Sequence, residues 1–146
     1  MAIEVREVGQ QDKAQWLLLW EGYTGFYGNP QREEVTEYTW QRMLDPGSSV
    51  LGRVAVVDNR VVGVAVCVLH EGTWVTTPIC YLEDLFVDPQ VRGRGIARTL
   101  MQALHKEGKE KGWSRLYWHT RTDNPARHLY DEFTPADDYV RYRVTL

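Results

Sequence analysis

The stretch Tyr81-Leu82-Glu83-Asp84-Leu85-Phe86-Val87-Asp88-Pro89-Gln90-Val91-Arg92-Gly93-Arg94-Gly95-Ile96-Ala97-Arg98-Thr99-Leu100-Met101 constrains this chain more than any other. Residues 81–87 are rich in aromatic and branched apolar side chains, which predicts a strand. Pro89 has no N–H for a ladder and ends it. Two glycines set among arginines follow. Ile96, Ala97, Leu100, Met101 and Leu104 then recur at helical spacing, opposite Arg98, Gln102, His105 and Lys106. The reading is strand, tight glycine-rich turn, helix.

Two uses of that turn stay open on the residues alone. The first N–H groups of a helix have no intrahelical partner and sit at the positive end of its dipole, so they bind anions. Glycine lets an anion approach the backbone without a Cβ in the way. This favours a phosphate ligand; the plainer reading is a tight turn carrying two surface arginines. No Gly-Lys-Ser/Thr follows, as a P-loop requires, and there is no G-x-G-x-x-G with an acidic residue about twenty positions on.

Around this element the chain reads as a single α/β domain over residues 1–146. Ile3 to Val8 alternates and predicts a first strand. Asp12 is placed to cap a helix bearing Ala14, Leu17, Leu18 and Trp20, running toward Tyr23, Phe26 and Tyr27 and stopped by Gly28-Asn29-Pro30. Asn29 reads as the cap of a second helix with Pro30 at its first position; Asp45-Pro46-Gly47 ends that helix. Valine-rich runs at 50–57 and 61–69 flank a hairpin turn at Asp58-Asn59-Arg60. The central strand covers 79–87, and the helix from 95 ends near Gly108 or Gly112. A strand at 114–120, a short helix opened by Asn124-Pro125 and a last strand at 139–146 complete the chain. A helix between the strands at 79–87 and 114–120 implies a parallel pair, and the hairpin implies antiparallel ones, so the sheet is mixed.

Net charge is −3, which gives no reason to expect nucleic acid or an anionic membrane as partner. No apolar run is long enough to span a bilayer, and charges interrupt the opening Met-Ala-Ile-Glu-Val-Arg at once, unlike a signal peptide. Cys67 and Cys80 fall in predicted strands and read as buried core residues. With four histidines at no recognisable spacing they make no metal site, and the reducing cytoplasm is the expected compartment. Six tryptophans and eight tyrosines serve either core area or an aromatic-lined pocket.

Arg92-Gly93-Arg94-Gly95-Ile96-Ala97 resembles the Arg/Gln-x-x-Gly-x-Gly/Ala signature of the GCN5-related N-acetyltransferase (GNAT) family, with Ala97 in the final Gly/Ala place. The Tyr-Leu-Glu-Asp run is similar to members that acetylate polyamines, small amines and, in a yeast group, histone tails. The resemblance implies a mixed sheet whose central parallel strands splay apart around acetyl-CoA. In it the turn residues Arg92 to Ala97 hold the pyrophosphate, and the strand at Leu85, Phe86 and Val87 pairs through its backbone with the pantetheine arm. Asn124-Pro125-Ala126-Arg127-His128-Leu129-Tyr130 looks like the family's Asn…Tyr helix, which adds Asn124 and Arg127 to the cofactor contacts.

The resemblance also assigns roles. Tyr130 becomes general acid to the leaving thiolate; the alternative is a half-buried aromatic with a satisfied hydroxyl. Asn124 binds pantetheine or simply holds its turn. A backbone N–H near Leu85 or Phe86 faces the oxyanion. An alkylammonium is neutral only about once in two thousand molecules at pH 7, so the site must remove a proton. Glu83 and Asp84 are strand neighbours and point to opposite faces. Similarity to the polyamine-acetylating members selects Glu83 as the base and leaves Asp84 as a structural carboxylate bonded to backbone or to an arginine; alternatively Glu83 merely pairs with a basic residue.

No side-chain nucleophile is needed, so the expected route is direct transfer within a ternary complex. His119 and His128 are read as solvated or structural. The acceptor wall is expected from Tyr23, Phe26, Tyr27 and Glu33 with Glu83, where aromatics and carboxylates suit a cation; the same residues also fit a core and a solvated face. The expected activity is acetyl transfer to a primary amine of a small cationic substrate such as a polyamine or an amino acid. The alternatives are a protein lysine or N-terminal acetyltransferase and a non-catalytic acyl-CoA-binding module. After Tyr130 the chain departs from the family pattern: no glycine marks the turn in 131–139. The alternating Val140-Arg141-Tyr142-Arg143-Val144 is a candidate for edge pairing in a homodimer.

Overall fold

The computed structural model describes residues 1–26, 28 and 30–146. The readings of Tyr27 as part of the acceptor wall and of Asn29 as a helix cap lie outside the described residues. The elements in order are β1 (Glu4–Glu7), α1 (Lys13–Phe26), α2 (Glu33–Leu44), β2 (Val50–Val57), β3 (Arg60–His70), β4 (Ile79–Val87), α3 (Ile96–Lys111), β5 (Arg115–Tyr117) and α4 (Arg127–Phe133). The strands form one mixed sheet in the order β1-β2-β3-β4-β5. The first three pairings are antiparallel and β4–β5 is parallel, as the helix between them requires.

Local chemistry explains most boundaries. Asp58 and Asn59 both adopt positive φ (50° and 63°), the conformation a two-residue hairpin needs between β2 and β3. Gly112 ends α3 in the left-handed region at φ 76°, its N–H returning to the Gly108 carbonyl. At the start of α1, Asp12 accepts from the Gly9 N–H at 2.8 Å and takes both Arg6 terminal nitrogens at 2.8 and 2.9 Å. It therefore ties β1 to the turn before α1 instead of capping α1 itself.

Both faces of the sheet are covered. On one, α1 and α2 bring Trp16, Trp20, Trp40 and Met43 against Val54, Val64, Val66 and Phe86. Trp16 is fully buried and lies 5.2 Å from Trp20 and 5.1 Å from Trp40, centroid to centroid. On the other face α3 lays Ile96, Leu100 and Leu104 over Val62, Ala65, Cys67, Cys80 and Leu82. A Cβ on Gly63 would stand 2.9 Å from Ile96 Cγ2, so the missing side chain sets how closely α3 approaches β3. Cys67 and Cys80 are free and buried, as the sequence suggests.

Three expectations need correction. Helix α2 begins at Glu33, not at Pro30: Arg32 is still extended (φ −63°, ψ 148°) and two glutamates fill the first turn, where the helix dipole favours them. Strand β5 covers three residues where 114–120 was expected, because β4 and β5 part beyond Tyr117. The expected last strand at 139–146 is not formed. Its alternation is real, but no strand among the described residues pairs with it, and Tyr139, Val140, Tyr142, Val144 and Leu146 are all exposed.

Candidate active site

The site begins where the two parallel strands separate. Pairing between β4 and β5 runs from Ile79↔Arg115 to Tyr81↔Tyr117 and stops. From Leu82 onward β4 is paired only to β3, so one row of its backbone groups faces a gap. A cleft of about 150 Å³ opens there, walled by Tyr23 from α1, Glu83 and Leu85 from β4, Trp118 and Arg121 from the segment after β5, and Tyr130 from α4. His119, Thr120 and Asn124 also reach it.

A bulge in β4 decides which carboxylate faces what. Cys67 pairs with Leu82 and Val66 with Asp84, so Glu83 has no partner residue on β3. Cys80, Leu82 and Leu85 consequently all pack on the α3 face. Asp84 turns to the α1 face, the side that strict alternation would have given to Glu83. There it accepts a hydrogen bond from the Tyr23 hydroxyl at 3.1 Å. The expected partner, a backbone group or an arginine, is thus replaced by a tyrosine. Burial, reinforced by the nearby negative charge of Glu83 and opposed by the Tyr23 bond, pushes the Asp84 carboxyl up to about 6. Glu83 itself is exposed and lines the cleft.

Tyr130 stands in α4 with its ring edge-on to Trp118, centroids 5.6 Å apart. The loop before α4 is fixed by Asn124, whose Oδ1 accepts from the Ala126 N–H at 2.9 Å and whose Nδ2 donates to Thr120 Oγ1 at 2.8 Å. Arg127 donates to the Thr122 carbonyl at 2.8 Å, closing the same loop. Tyr81, Tyr117 and His70 continue the surface from His119 beyond the cleft. The Tyr81 hydroxyl and His119 Nε2 are 2.8 Å apart, and Tyr117 and His70 Nε2 are 3.0 Å apart.

The turn before α3 has the form an anion requires. Gly93 and Gly95 adopt left-handed φ of 77° and 80°, and nothing lies within 4 Å of where a Cβ would stand on either. Gly95 carries no side chain to cap α3, and Thr99 is the residue whose N–H and Oγ1 return to the Gly95 carbonyl. The N–H groups ahead of Thr99 remain available to a ligand. Arg92 and Arg94 are exposed beside them, Ala97 is half-buried and Ile96 is anchored in the core at 2% exposure. These residues and the open edge of β4 fit a pyrophosphate joined to an extended arm, which is the shape of acetyl-CoA.

The structure thus brings Tyr23, Glu83, Leu85, Asn124 and Tyr130 together. It does not bring in every residue expected. The Phe86 side chain is buried against Tyr23, and Val87 packs toward α3, so only their backbone can serve the site. Phe26 and Glu33 are exposed and are not among the residues walling the cleft. Sequence reasoning missed Arg121 and Trp118, whose signal is only their position just after a short parallel strand.

The family model described as Acetyltransferase (GNAT) family matches residues 15–134. The chain is 28% identical over 144 residues to the D-amino-acid N-acetyltransferase HPA3 of Saccharomyces cerevisiae, covering 97% of this chain and 89% of that one. It is 34% identical over 102 residues to the thialysine N-epsilon-acetyltransferase of Caenorhabditis elegans, covering 66% of this chain and 63% of that one. Among solved structures, the ribosomal-protein-alanine N-acetyltransferase from Brucella melitensis biovar Abortus 2308 superposes with a TM-score of 0.83 at 20% identity, over 100% of both chains. The parted strands, the glycine turn and the match across most of the chain agree: this chain belongs to the acetyltransferase (GNAT) family and is an acyltransferase.

Proposed function

We propose that the protein is an acetyl-CoA-dependent N-acetyltransferase acting on the primary amine of a small substrate, by direct transfer within a ternary complex. The observation that carries this reading is the convergence of Glu83 and Tyr130 on one small cleft at the open edge of β4. Binding a coenzyme needs neither group; moving protons to and from it needs both.

Acetyl-CoA supplies the activated acetyl group. Gly93, Gly95 and the first turn of α3 hold the pyrophosphate, with Arg92 and Arg94 adding charge, and the backbone of β4 at Leu85 to Val87 orients the arm. A backbone N–H near Leu85 or Phe86 faces the negative charge that develops on the acyl oxygen. Glu83 draws in the ammonium and accepts its proton through water, which frees the lone pair. Asp84, held beneath by Tyr23, adds a second negative charge. The amine nitrogen bonds to the acyl carbon as the C–S bond breaks; Tyr130 gives its proton to the departing thiolate and is restored by the second proton that the nitrogen sheds.

The two relatives similar in sequence act on small amino compounds by name, D-amino acids in one and thialysine in the other, which supports a small acceptor over a protein. We further infer a homodimer. The arm at 139–146 exposes five large apolar side chains outside any regular element, and its alternating sequence could add to a strand edge of a second copy. The buried free thiols suit a reducing, cytoplasmic setting.

The test is free-thiol release from acetyl-CoA against spermidine, spermine, free amino acids, aminoglycosides and a histone-tail peptide. Turnover confined to small amines supports the reading. Turnover of the peptide alone makes the protein a lysine or N-terminal acetyltransferase. Tight acetyl-CoA binding with no turnover of any acceptor leaves the binding module. In the enzyme, Glu83→Gln moves the rate profile to higher pH, where the amine is already neutral; an unmoved profile removes Glu83 as base.

A further inference from the structure

The cleft is charged on both sides. Glu83 stands on one wall and Arg121 on another, within about 150 Å³. Arg121 makes no ion pair among the described residues, whereas Arg6, Arg53, Arg60 and Arg98 each engage a carboxylate. A second guanidinium, Arg141 of the C-terminal arm, lies 3.5 Å from His119 Nε2 at the same place. It too has no carboxylate partner among the described residues. His119 lines the cleft and holds the Tyr81 hydroxyl at 2.8 Å. One guanidinium without an ion pair and one imidazole therefore line the same cleft as Glu83, with a second guanidinium bonded to that imidazole.

We propose that Arg121, assisted by Arg141 and His119, forms a carboxylate-binding subsite, so that the preferred acceptor is an α-amino acid bound as its zwitterion. This rests on the reading of the cleft as the acceptor site. The ammonium meets Glu83, and the carboxylate takes the paired N–H donors of a guanidinium, the geometry arginine provides and lysine does not. A polyamine brings only positive charge and would meet Arg121 as a like charge. Arg121 and Arg141 here are specificity-determining residues, distinct from the proton-handling pair Glu83 and Tyr130.

The experiment compares leucine (both enantiomers), leucinamide and isoamylamine, which share one side chain and differ in the carboxylate. The wild-type enzyme is expected to favour at least one leucine enantiomer over both analogues in kcat/KM. In Arg121→Gln the ratio of kcat/KM for leucine to that for isoamylamine should fall about 10- to 100-fold, the size expected for a lost charged hydrogen-bond pair. Arg141→Gln, a substitution on the exposed arm, should lower the same ratio less. An unchanged ratio in both variants, or a wild-type preference for isoamylamine, overturns the subsite. Calorimetry of leucine binding to the CoA-loaded protein separates this from the activity. Binding that Arg121→Gln abolishes keeps the subsite even if no amine is acetylated; no leucine binding to the wild type removes it.

Discussion

The Tyr23 hydroxyl donates to Asp84 Oδ1 at 3.1 Å while the Tyr23 ring stacks on Phe86, further along the same strand, with centroids 4.6 Å apart. One side chain of α1 thus both packs on β4 and partly offsets the burial that raises the pKa of a carboxylate beneath the cleft. That bond favours the ionised form, against burial and the repulsion of Glu83. Tyr23→Phe keeps the stacking and removes the bond, so the Asp84 carboxyl should titrate above its wild-type value of about 6. Glu83→Gln removes the repulsion and should move it the other way. Carboxyl-carbon NMR titration of both variants reads the two shifts; shifts of the same sign would disprove the assignment of causes.

The raised Asp84 pKa also has a stability consequence. The folded chain holds this proton more tightly than the unfolded chain. Its contribution is therefore fully stabilising below the ordinary carboxylate pKa of about 3.9, and is lost as pH rises through about 6. At neutral pH the ionised group opposes folding by about 3 kcal/mol. Asp84→Asn keeps the shape and an acceptor for Tyr23. It should be more stable than wild type at pH 7.5 in urea denaturation, with the difference vanishing near pH 4. Equal stability at pH 7.5 would mean that solvent reaches Asp84 in the folded chain.

Much of this arrangement could be read from the residues. The turn chemistry of Asp58-Asn59, the stop at Gly112 and the strand–turn–helix at 79–111 follow from local rules that tertiary packing did not override. The choice between Glu83 and Asp84 could not be read in full, because a bulge is a property of the pairing with β3 and leaves no mark on the β4 pattern. The arm at 139–146 was misread for a related reason. Alternation states that a segment can pair, but a ladder also needs a partner edge. Arg121 stayed hidden because its use depends on where β5 ends, and that end is set by the parting of two strands.

Tyr130→Phe separates chemistry from binding. Tyr130 lines the cleft with its ring edge-on to Trp118, a packing contact that phenylalanine preserves. General acid catalysis contributes about 10²–10⁴-fold, so kcat should fall by at least about a hundredfold. Acetyl-CoA affinity, measured by calorimetry, should stay within about threefold, because the substitution leaves the proposed cofactor contacts, the glycine turn and β4, unchanged. Unchanged kcat removes Tyr130 from the mechanism.

Two glycines with open space around them should respond in opposite directions to alanine. Gly95 sits at φ 80°, where an L side chain costs about 1–2 kcal/mol. Gly95→Ala should lower stability and weaken acetyl-CoA binding together, since relief of the strain tilts the first turn of α3. Gly22 lies within α1 with nothing within 4 Å of its Cβ position and no positive φ. Gly22→Ala should raise stability by about 0.5–1 kcal/mol through helix propensity. Thermal unfolding of the two variants with and without acetyl-CoA checks both. A Gly95→Ala protein with wild-type affinity would show that the turn does not carry the phosphates.

The ion pair between Arg53 and Glu107 joins β2 to α3 behind the site. Arg53, 6% exposed, donates from Nε and Nη2 to the two Glu107 oxygens at 2.8 and 2.6 Å and from Nη1 to the Gly52 carbonyl at 2.9 Å. Burial pushes the Glu107 carboxyl up, but the bonds from Arg53 and Lys111 outweigh it and leave the group below its ordinary value. Its contribution to stability is thus present above the ordinary glutamate range and is lost as pH falls through the depressed value. Glu107→Gln leaves a buried guanidinium with only the exposed Glu7 nearby, which costs about 3–5 kcal/mol. In a domain of this size that lowers Tm by roughly 10 °C. The loss should be large at pH 7 and smaller in acid, where wild-type Glu107 is itself protonated. A Tm within about 2 °C of wild type at pH 7 would show that water or Glu7, 3.7 Å from Arg53 Nη2, takes over the charge.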